Sequence, residues 1–429
     1  MGNITDYVNE FRSINFKEKP FSDVDSLVLS QISYYNFAES AFAQKEFSIS
    51  LAELLQSDFG PIVNATTTMH EDDALFGEAL SESGRHGSLR GSNYIEVMDE
   101  QAEKQFSAIT FEIQSGEYVI VFRGTDNSVT GWKEDMAMSY EESIPAQKDA
   151  LAYAMNIMDH FEGNFYLSGH SKGGNLSVYT GIRLPWKYRK RLLGIYDHDG
   201  PGFVDSVYVG EAYWKVRPLI RKSVPRSSVI GTMWQADDNY KVVLSDAKLL
   251  IQHDPFTWII HEGKFAEAKE VDAFSRYTKV ALERWVDTLS REERKQIVGT
   301  VFDVIYRAGI GSFEELTEDT LPNVLRLLAE VAEMEAGERS QVLGAVRQLF
   351  LVSRKEIPMT VKAEGAAKVE EQTEKVKAKL LTVKEELDKI AQNNVERYEY
   401  LRDNLQMKAL ETKVKAGEAK KSLEEIWKK

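Results

Sequence analysis

The chain contains no cysteine. A thiol nucleophile, a thiolate metal site and disulfide bonds are therefore excluded. There is no apolar run long enough to span a bilayer. The N-terminal stretch MGNITDYVNEF lacks a basic segment followed by an apolar core, so no signal peptide is visible in it. The Met-Gly start carries Asp6 where N-myristoylation calls for Ser or Thr. Positive charge is also short: 53 Lys and Arg stand against 68 Asp and Glu, a net charge of −15. That balance argues against a nucleic-acid partner and against simple electrostatic binding to anionic membranes. The cytoplasm is the expected location, with secretion without a cleavable signal peptide as the alternative. At 429 residues, more than one structural unit is expected.

The rest of the chain is organised around Phe165–Thr180, FYLSGHSKGGNLSVYT. Phe165-Tyr166-Leu167 is short and apolar, as a buried strand would be. Gly169-His170-Ser171-Lys172-Gly173 follows, and Leu176, Val178 and Tyr179 open a helical pattern. Strand, G-x-S-x-G and helix together form the context of a nucleophile elbow. Ser171 is the candidate nucleophile at its tip.

Before the elbow, Val24, Leu27, Val28, Ile32, Tyr35 and Phe37 lie at helical spacing within 23–47. Ala108–Ile113 alternates, Ser115-Gly116 turns, and Tyr118–Phe122 runs apolar, which predicts a hairpin leading into a central strand. Arg123-Gly124-Thr125-Asp126 ends that strand, and a helix near Trp132 carries Asp135. A further helix is expected over Ala146–Phe161. After the elbow come a strand at Leu192–Tyr196, a basic helix at Trp214–Lys222 and a last strand at Ser227–Trp234. Strands alternating with helices predict a mostly parallel sheet covered on both faces. From about Asp272 the pattern is purely helical. No proline follows Pro358, and Val369, Val376, Leu380, Val383, Leu387 and Ile390 fit a heptad seam. Three units are therefore expected: a catalytic domain over 1–270, a helical extension over 271–356, and a charged coiled-coil-like tail over 357–429. The tail suits a helical partner or self-association.

A serine hydroxyl needs a base to take its proton, and the base needs an acid to hold its tautomer. In sheets of this type the chain order is Ser, acid, His. His253 lies beyond Asp237-Asp238 and satisfies that order. His261 is the reserve, and His198 better suits a structural or cleft-lining role. The acid is Asp237 or Asp238, with Asp238 favoured. Asp254 reads as a turn or capping residue before Pro255. The oxyanion donors expected are the backbone N–H of Lys172 and Thr125 with its N–H and hydroxyl. No cofactor and no metal are expected.

Val121-Phe122-Arg123-Gly124-Thr125, followed by Trp132 and Asp135, resembles the F-R-G-T…W…D signature of the class 3 (fungal-type) lipases. The fuller resemblance is to the bacterial Mbeg1-like branch of the α/β-hydrolases. It rests also on Asp199-Gly200-Pro201-Gly202-Phe203, Asn239-Tyr240 with Val242-Val243, and Gln252-His253-Asp254-Pro255. It covers roughly Ile4 to Phe350. It implies an α/β-hydrolase-like catalytic domain and a serine esterase or lipase acting on an ester, an acyl lipid above all, through Ser171, an acid near Asp238, and His253. The alternatives are a hydrolase fold used as an interaction surface, or a leaderless secreted lipase whose tail serves export or docking.

Overall fold

A computed structural model describes residues 2–63, 70–126 and 128–312, and isolated positions between 326 and 344. The heptad seam from Val369 to Ile390, and the whole tail beyond Pro358, lie outside the described residues. Four helices open the chain: α1 (Ile4–Glu10), α2 (Asp23–Ile32), α3 (Leu51–Val63) and α4 (His70–Glu82). The strands β1 (Arg90–Asp99), β2 (Lys104–Gln114) and β3 (Glu117–Phe122) follow. Next come α5 (Val129–Ala137), α6 (Pro145–His160), β4 (Asn164–His170), α7 (Lys172–Arg183), β5 (Leu192–His198), β6 (Ile220–Pro225) and β7 (Tyr240–Val243). The two-residue strands β8 (Ile260–His261) and β9 (Lys264–Phe265) pair as a hairpin, and β10 (Glu267–Ala268) closes the main sheet.

The main sheet has eight strands in the order β1-β2-β3-β4-β5-β6-β7-β10. It is mixed. β3 to β7 run parallel, while β1 with β2, β2 with β3, and β7 with β10 run antiparallel. Alternation along each strand assigns side chains to two cores. Ile109, Phe111, Val119, Val121 and Tyr196 face a core shared with α1 to α4. Phe106, Ala108, Ile120, Phe122, Leu167 and Ile195 face one shared with α5, α6 and α7. A parallel sheet must be covered on both faces, and here it is.

Several local expectations are corrected. The N-terminal helix stops at Ile32, and Tyr34, Tyr35 and Phe37 are buried from a turn instead. Trp214–Lys222 is not one helix: Glu211–Val216 is helical, Arg217–Leu219 is a 3-10 turn, and Ile220 starts β6. Ser227–Trp234 is a series of turns, not a strand. Its apolar residues mimic a strand, whereas β6 hides its character behind Arg221 and Lys222. Arg221 is exposed, and the Lys222 amine is buried against the Asp197 carboxylate at 2.9 Å. Beyond the sheet, Ala273–Asp287 and Arg291–Arg307 are helical. The second is fastened to the body by Arg291 on the Tyr140 carbonyl, Arg294 on the Ser139 carbonyl, and Tyr306 on Thr130.

Candidate active site

Parallel strands converge their carboxyl ends on one edge of the sheet, where ligands of open α/β sheets bind. β3, β4 and β5 end there in Arg123-Gly124-Thr125, Ser171 and Asp199 respectively. Ser171 sits between β4 and α7 with φ 55° and ψ −131°. This is a strained conformation for a residue bearing a Cβ, costing on the order of 1–3 kcal/mol. Close packing enforces it. A Cβ on Gly169 would collide with the Gly173 backbone, and one on Gly173 with the Phe122 carbonyl. The Ser171 N–H donates to the His198 carbonyl at 2.9 Å. A Cβ on Gly124 would collide with the Tyr34 hydroxyl and the His170 carbonyl, so the loop after β3 presses directly on the elbow.

The carboxylate against His253 is Asp199. Its Oδ2 lies 2.6 Å from His253 Nδ1. Its Oδ1 accepts from the Ser228 hydroxyl at 2.5 Å and the Gly231 N–H at 3.1 Å. Asp199 is fully buried, with φ 53°, and its N–H donates to the Ser223 carbonyl within β6. The arrangement makes Asp199 an acceptor on both oxygens, so Nδ1 of His253 carries the proton and Nε2 presents a lone pair. The loop bearing Asp199 is fastened twice. Asn175, one turn into α7, donates to the Pro201 and Gly202 carbonyls at 3.0 and 2.9 Å. Asp197 holds the Gly200 N–H at 2.8 Å and the Lys222 ammonium at 2.9 Å.

His253 closes a 3-10 turn, Leu249–His253. The neighbouring Gln252 is held by the Ser227 N–H at 2.8 Å and by the buried Trp258 indole at 2.9 Å. Asp254 caps the next turn through the Phe256 N–H, as expected, and burial raises its carboxyl to about 6. His253 meets the elbow through His170. The two rings lie 4.5 Å apart, and His170 Nε2 is 2.8 Å from the His253 carbonyl. A carbonyl only accepts, so Nε2 of His170 is the N–H, and its Nδ1 accepts from the Tyr34 hydroxyl at 3.1 Å. Burial holds the His170 ring neutral, far below its usual pKa. No hydrogen bond joins the Ser171 hydroxyl to the His253 ring among the described residues.

Asp237 and Asp238, the acids expected from the sequence, lie elsewhere. Asp237 takes both arms of Arg217, at 2.5 and 3.0 Å, and the Tyr213 hydroxyl at 2.7 Å. The Arg217 hydrogen bonds hold its carboxyl below the usual range. Asp238 lines a surface hollow with Asp23, Arg221 and Lys241. The physical reason is direction. Both residues precede β7, which runs parallel to β4, so they sit where strands begin and not where they end. Tyr240 pairs with Lys222, Lys222 with Asp197, and Asp197 with Gly169, so the pair is also three strands from the elbow. Asp199 satisfies the same Ser, acid, His order and ends the strand beside the elbow. Recognising 220–225 as the next strand would have singled it out.

His261 is exposed on β8. His198 is fully buried and does not line the cleft. Its Nε2 is 2.9 Å from the Ser26 hydroxyl, and burial lowers its pKa to about 4. On the donor side, Thr125 gives its hydroxyl proton to Asp135 Oδ2. Burial raises the Asp135 carboxyl to about 6, opposed by the nearby Lys172 ammonium. The Lys172 N–H opens α7 immediately after Ser171.

The family model described as Mbeg1-like matches residues 80–303, just over half of the chain. The chain belongs to the Mbeg1-like family. The match runs from α4 through the helix Arg291–Arg307 and includes the Ser171, Asp199 and His253 positions. No curated protein matches the chain. Four solved chains match it, among them two that each align with part of it. One is the M37 lipase, at 15% identity and a TM-score of 0.33, covering 50% of this chain and 70% of that one. The other is a fungal lipase–inhibitor complex, titled as a model for interfacial activation in lipases. It is 14% identical, with a TM-score of 0.31, and the alignment covers 51% of this chain and 76% of that one. Within this Mbeg1-like chain, no helix among the described residues is long and apolar enough to cross a membrane.

Proposed function

We propose that the chain is a serine hydrolase of α/β-hydrolase type that cleaves carboxylic esters through an acyl-enzyme. One observation carries the reading: the strained Ser171 elbow and the Asp199–His253 pair occupy the same edge of the sheet, one strand apart. His253 Nε2 takes the Ser171 proton as Oγ attacks the ester carbonyl, and Asp199 stabilises the imidazolium through Nδ1. The backbone N–H groups of Lys172 and Thr125 donate to the oxyanion, while the Thr125 hydroxyl proton is held by Asp135 and is not a second donor from that residue. The tetrahedral intermediate collapses, the alcohol leaves with the proton from His253, and water then releases the acid by the same steps. The serine–imidazole hydrogen bond is often long in unliganded enzymes and shortens in the substrate complex. Acyl lipids are the proposed substrate class, on the likeness of Phe122–Asp135 to the class 3 lipase signature.

The decisive experiment is labelling of the full-length protein with a fluorophosphonate probe, beside p-nitrophenyl ester hydrolysis. Ser171 is expected to be the labelled residue. Ser171→Ala is expected to lose labelling and to retain under ~1% of ester turnover, since a triad nucleophile supplies far more than that. A folded wild-type protein that neither labels nor hydrolyses short esters would overturn the assignment.

A further inference from the structure

The residue after the nucleophile is lysine, and its side chain is fully buried. An ammonium in that position is costly unless every proton finds an acceptor. Lys172 Nζ donates to the Gln105 carbonyl at 2.9 Å, to Gln105 Oε1 at 2.5 Å and to Glu134 Oε2 at 3.0 Å. Three donors meet three acceptors. Glu134, equally buried, is also complete: Oε2 accepts the Gln105 N–H at 3.1 Å and Oε1 the Ala146 N–H at 2.8 Å. The pair therefore ties the start of α7 to β2, α5 and α6 at once.

Each tie touches the elements that bear the two oxyanion donors. The backbone N–H of Lys172 is one donor. Glu134 is the neighbour of Asp135, which holds the Thr125 hydroxyl, and Lys172 Nζ lies 3.8 Å from the other Asp135 oxygen. Among the described residues, that oxygen has no hydrogen-bond partner of its own. Gln105 Nε2 reaches the Gly124 carbonyl at 3.4 Å, one residue before Thr125. A methionine could fill the same volume without the cost of burying charge, and replacing buried ion pairs by apolar residues is often neutral for stability. It could not direct hydrogen bonds. We infer that the buried Lys172–Glu134 pair, with Gln105, is the positioning strut of the oxyanion hole. It holds the Lys172 N–H and Thr125 at one fixed separation and orientation. This assignment rests on the serine-hydrolase reading above.

The test uses the full-length chain in three forms: wild type, Lys172→Met/Glu134→Gln, and Gln105→Met. The double variant removes both charges of the pair together, and the neighbouring Asp135 carboxyl loses the ammonium 3.8 Å away, which favours its protonated form. Gln105→Met keeps the ion pair but removes both side-chain links of Gln105, the Oε1 acceptor for Lys172 Nζ and the Nε2 donor to the Gly124 carbonyl. Circular dichroism establishes folding; kcat and KM on a p-nitrophenyl ester and the rate of fluorophosphonate labelling are then compared. The folded double variant is expected to lose kcat by about 10- to 100-fold with KM within about twofold, because misplaced donors act on the transition state alone. Labelling should slow in parallel. Gln105→Met is expected to lose kcat by roughly 3- to 10-fold, also without a change in KM. Wild-type kcat in either folded variant, or a loss carried by KM, overturns the strut. Failure of wild type to label at Ser171 is a different result and sinks the hydrolase reading itself.

Discussion

Asp199, not the pair at 237–238, faces the imidazole of His253. The carboxylate accepts from His253 on one oxygen and from Ser228 and Gly231 on the other. Asp199→Asn places an amide that can donate where only an acceptor fits, which invites the wrong His253 tautomer. On the proposed mechanism, a loss of about 10⁴-fold in kcat is expected, the size seen when the acid of a serine-protease triad is so changed. Asp237→Asn and Asp238→Asn should keep kcat within about threefold, because those carboxylates serve Arg217, Tyr213 and a surface hollow. Steady-state hydrolysis by the three variants decides it: a drop in the second or third as deep as in the first would return the acid to that position. Gly124 yields a related expectation. Its missing Cβ leaves room for the Tyr34 hydroxyl and the His170 carbonyl. Gly124→Ala should therefore shift the loop bearing Thr125 and lower kcat by ~10-fold or more, with the melting temperature as the control for gross damage.

At the scale of elements, α2 is held by two buried polar systems. Asp25 accepts both arms of Arg85 at 2.8 Å, the Tyr7 hydroxyl at 3.0 Å and His86 Nε2 at 2.9 Å. These hydrogen bonds keep its carboxyl well below the usual range in spite of burial. Arg85→Met leaves that carboxylate buried without its main partner, which should cost roughly 3–5 kcal/mol. Urea denaturation would register the loss, and an unchanged midpoint would contradict this account of the cluster. Next to Asp25 in the chain, Ser26 meets His198 and Ser168. The His198 pKa of about 4 lies below the ordinary 6.5 because burial disfavours its charged form. Between pH 6.5 and 4 the unfolded chain thus binds a proton that the folded chain refuses. This contribution to stability is intact above pH 6.5 and is lost as pH falls towards 4, by up to about 3 kcal/mol. His198→Gln should flatten the decline of stability over that window. If wild type and variant decline in parallel, His198 is not a source of acid sensitivity.

For the whole molecule, the family match begins at residue 80, but the folded unit begins much earlier. Nine of the ten residues of α2 are buried, and α1, α2 and the turn to Phe37 supply a large share of the core on one face of the sheet. Deleting residues 1–32 should therefore abolish cooperative folding, even though every proposed catalytic residue remains. Soluble, cooperatively melting protein from that truncation would show that the sheet stands without its N-terminal cover. Removal of the chain after Pro358 should leave hydrolysis of soluble esters intact, because the elbow, the Asp199–His253 pair and the donor loop all precede Trp258. A truncated protein that is folded by circular dichroism yet inactive would assign the tail to the catalytic unit.

The amino-acid sequence by itself located the hairpin of β2 and β3, the elbow strand and its helix, because each is written in contiguous periodicity and turn residues. Ser171 stands out for the same reason: strand, glycine-bracketed turn and helix are neighbours along the chain. Chain order narrows the base to His253 and His261, and only the structure sets His253 against a carboxylate. The partner of His253 is different in kind. The local pattern favours Ser227–Trp234 as a strand and masks Ile220–Pro225, where Arg221 and Lys222 interrupt the apolar run. Only the tertiary structure shows that Lys222 is neutralised by Asp197 across the strand pair, which lets a charged segment serve inside the sheet. Once Ile220–Pro225 is the strand, residues 237–238 fall at the beginning of the next one, and Asp199 is left facing the imidazole. The Lys172–Glu134 pair is equally invisible in the sequence, since a lysine and a glutamate 38 positions apart meet only when α5 and α7 pack on the same face of the sheet.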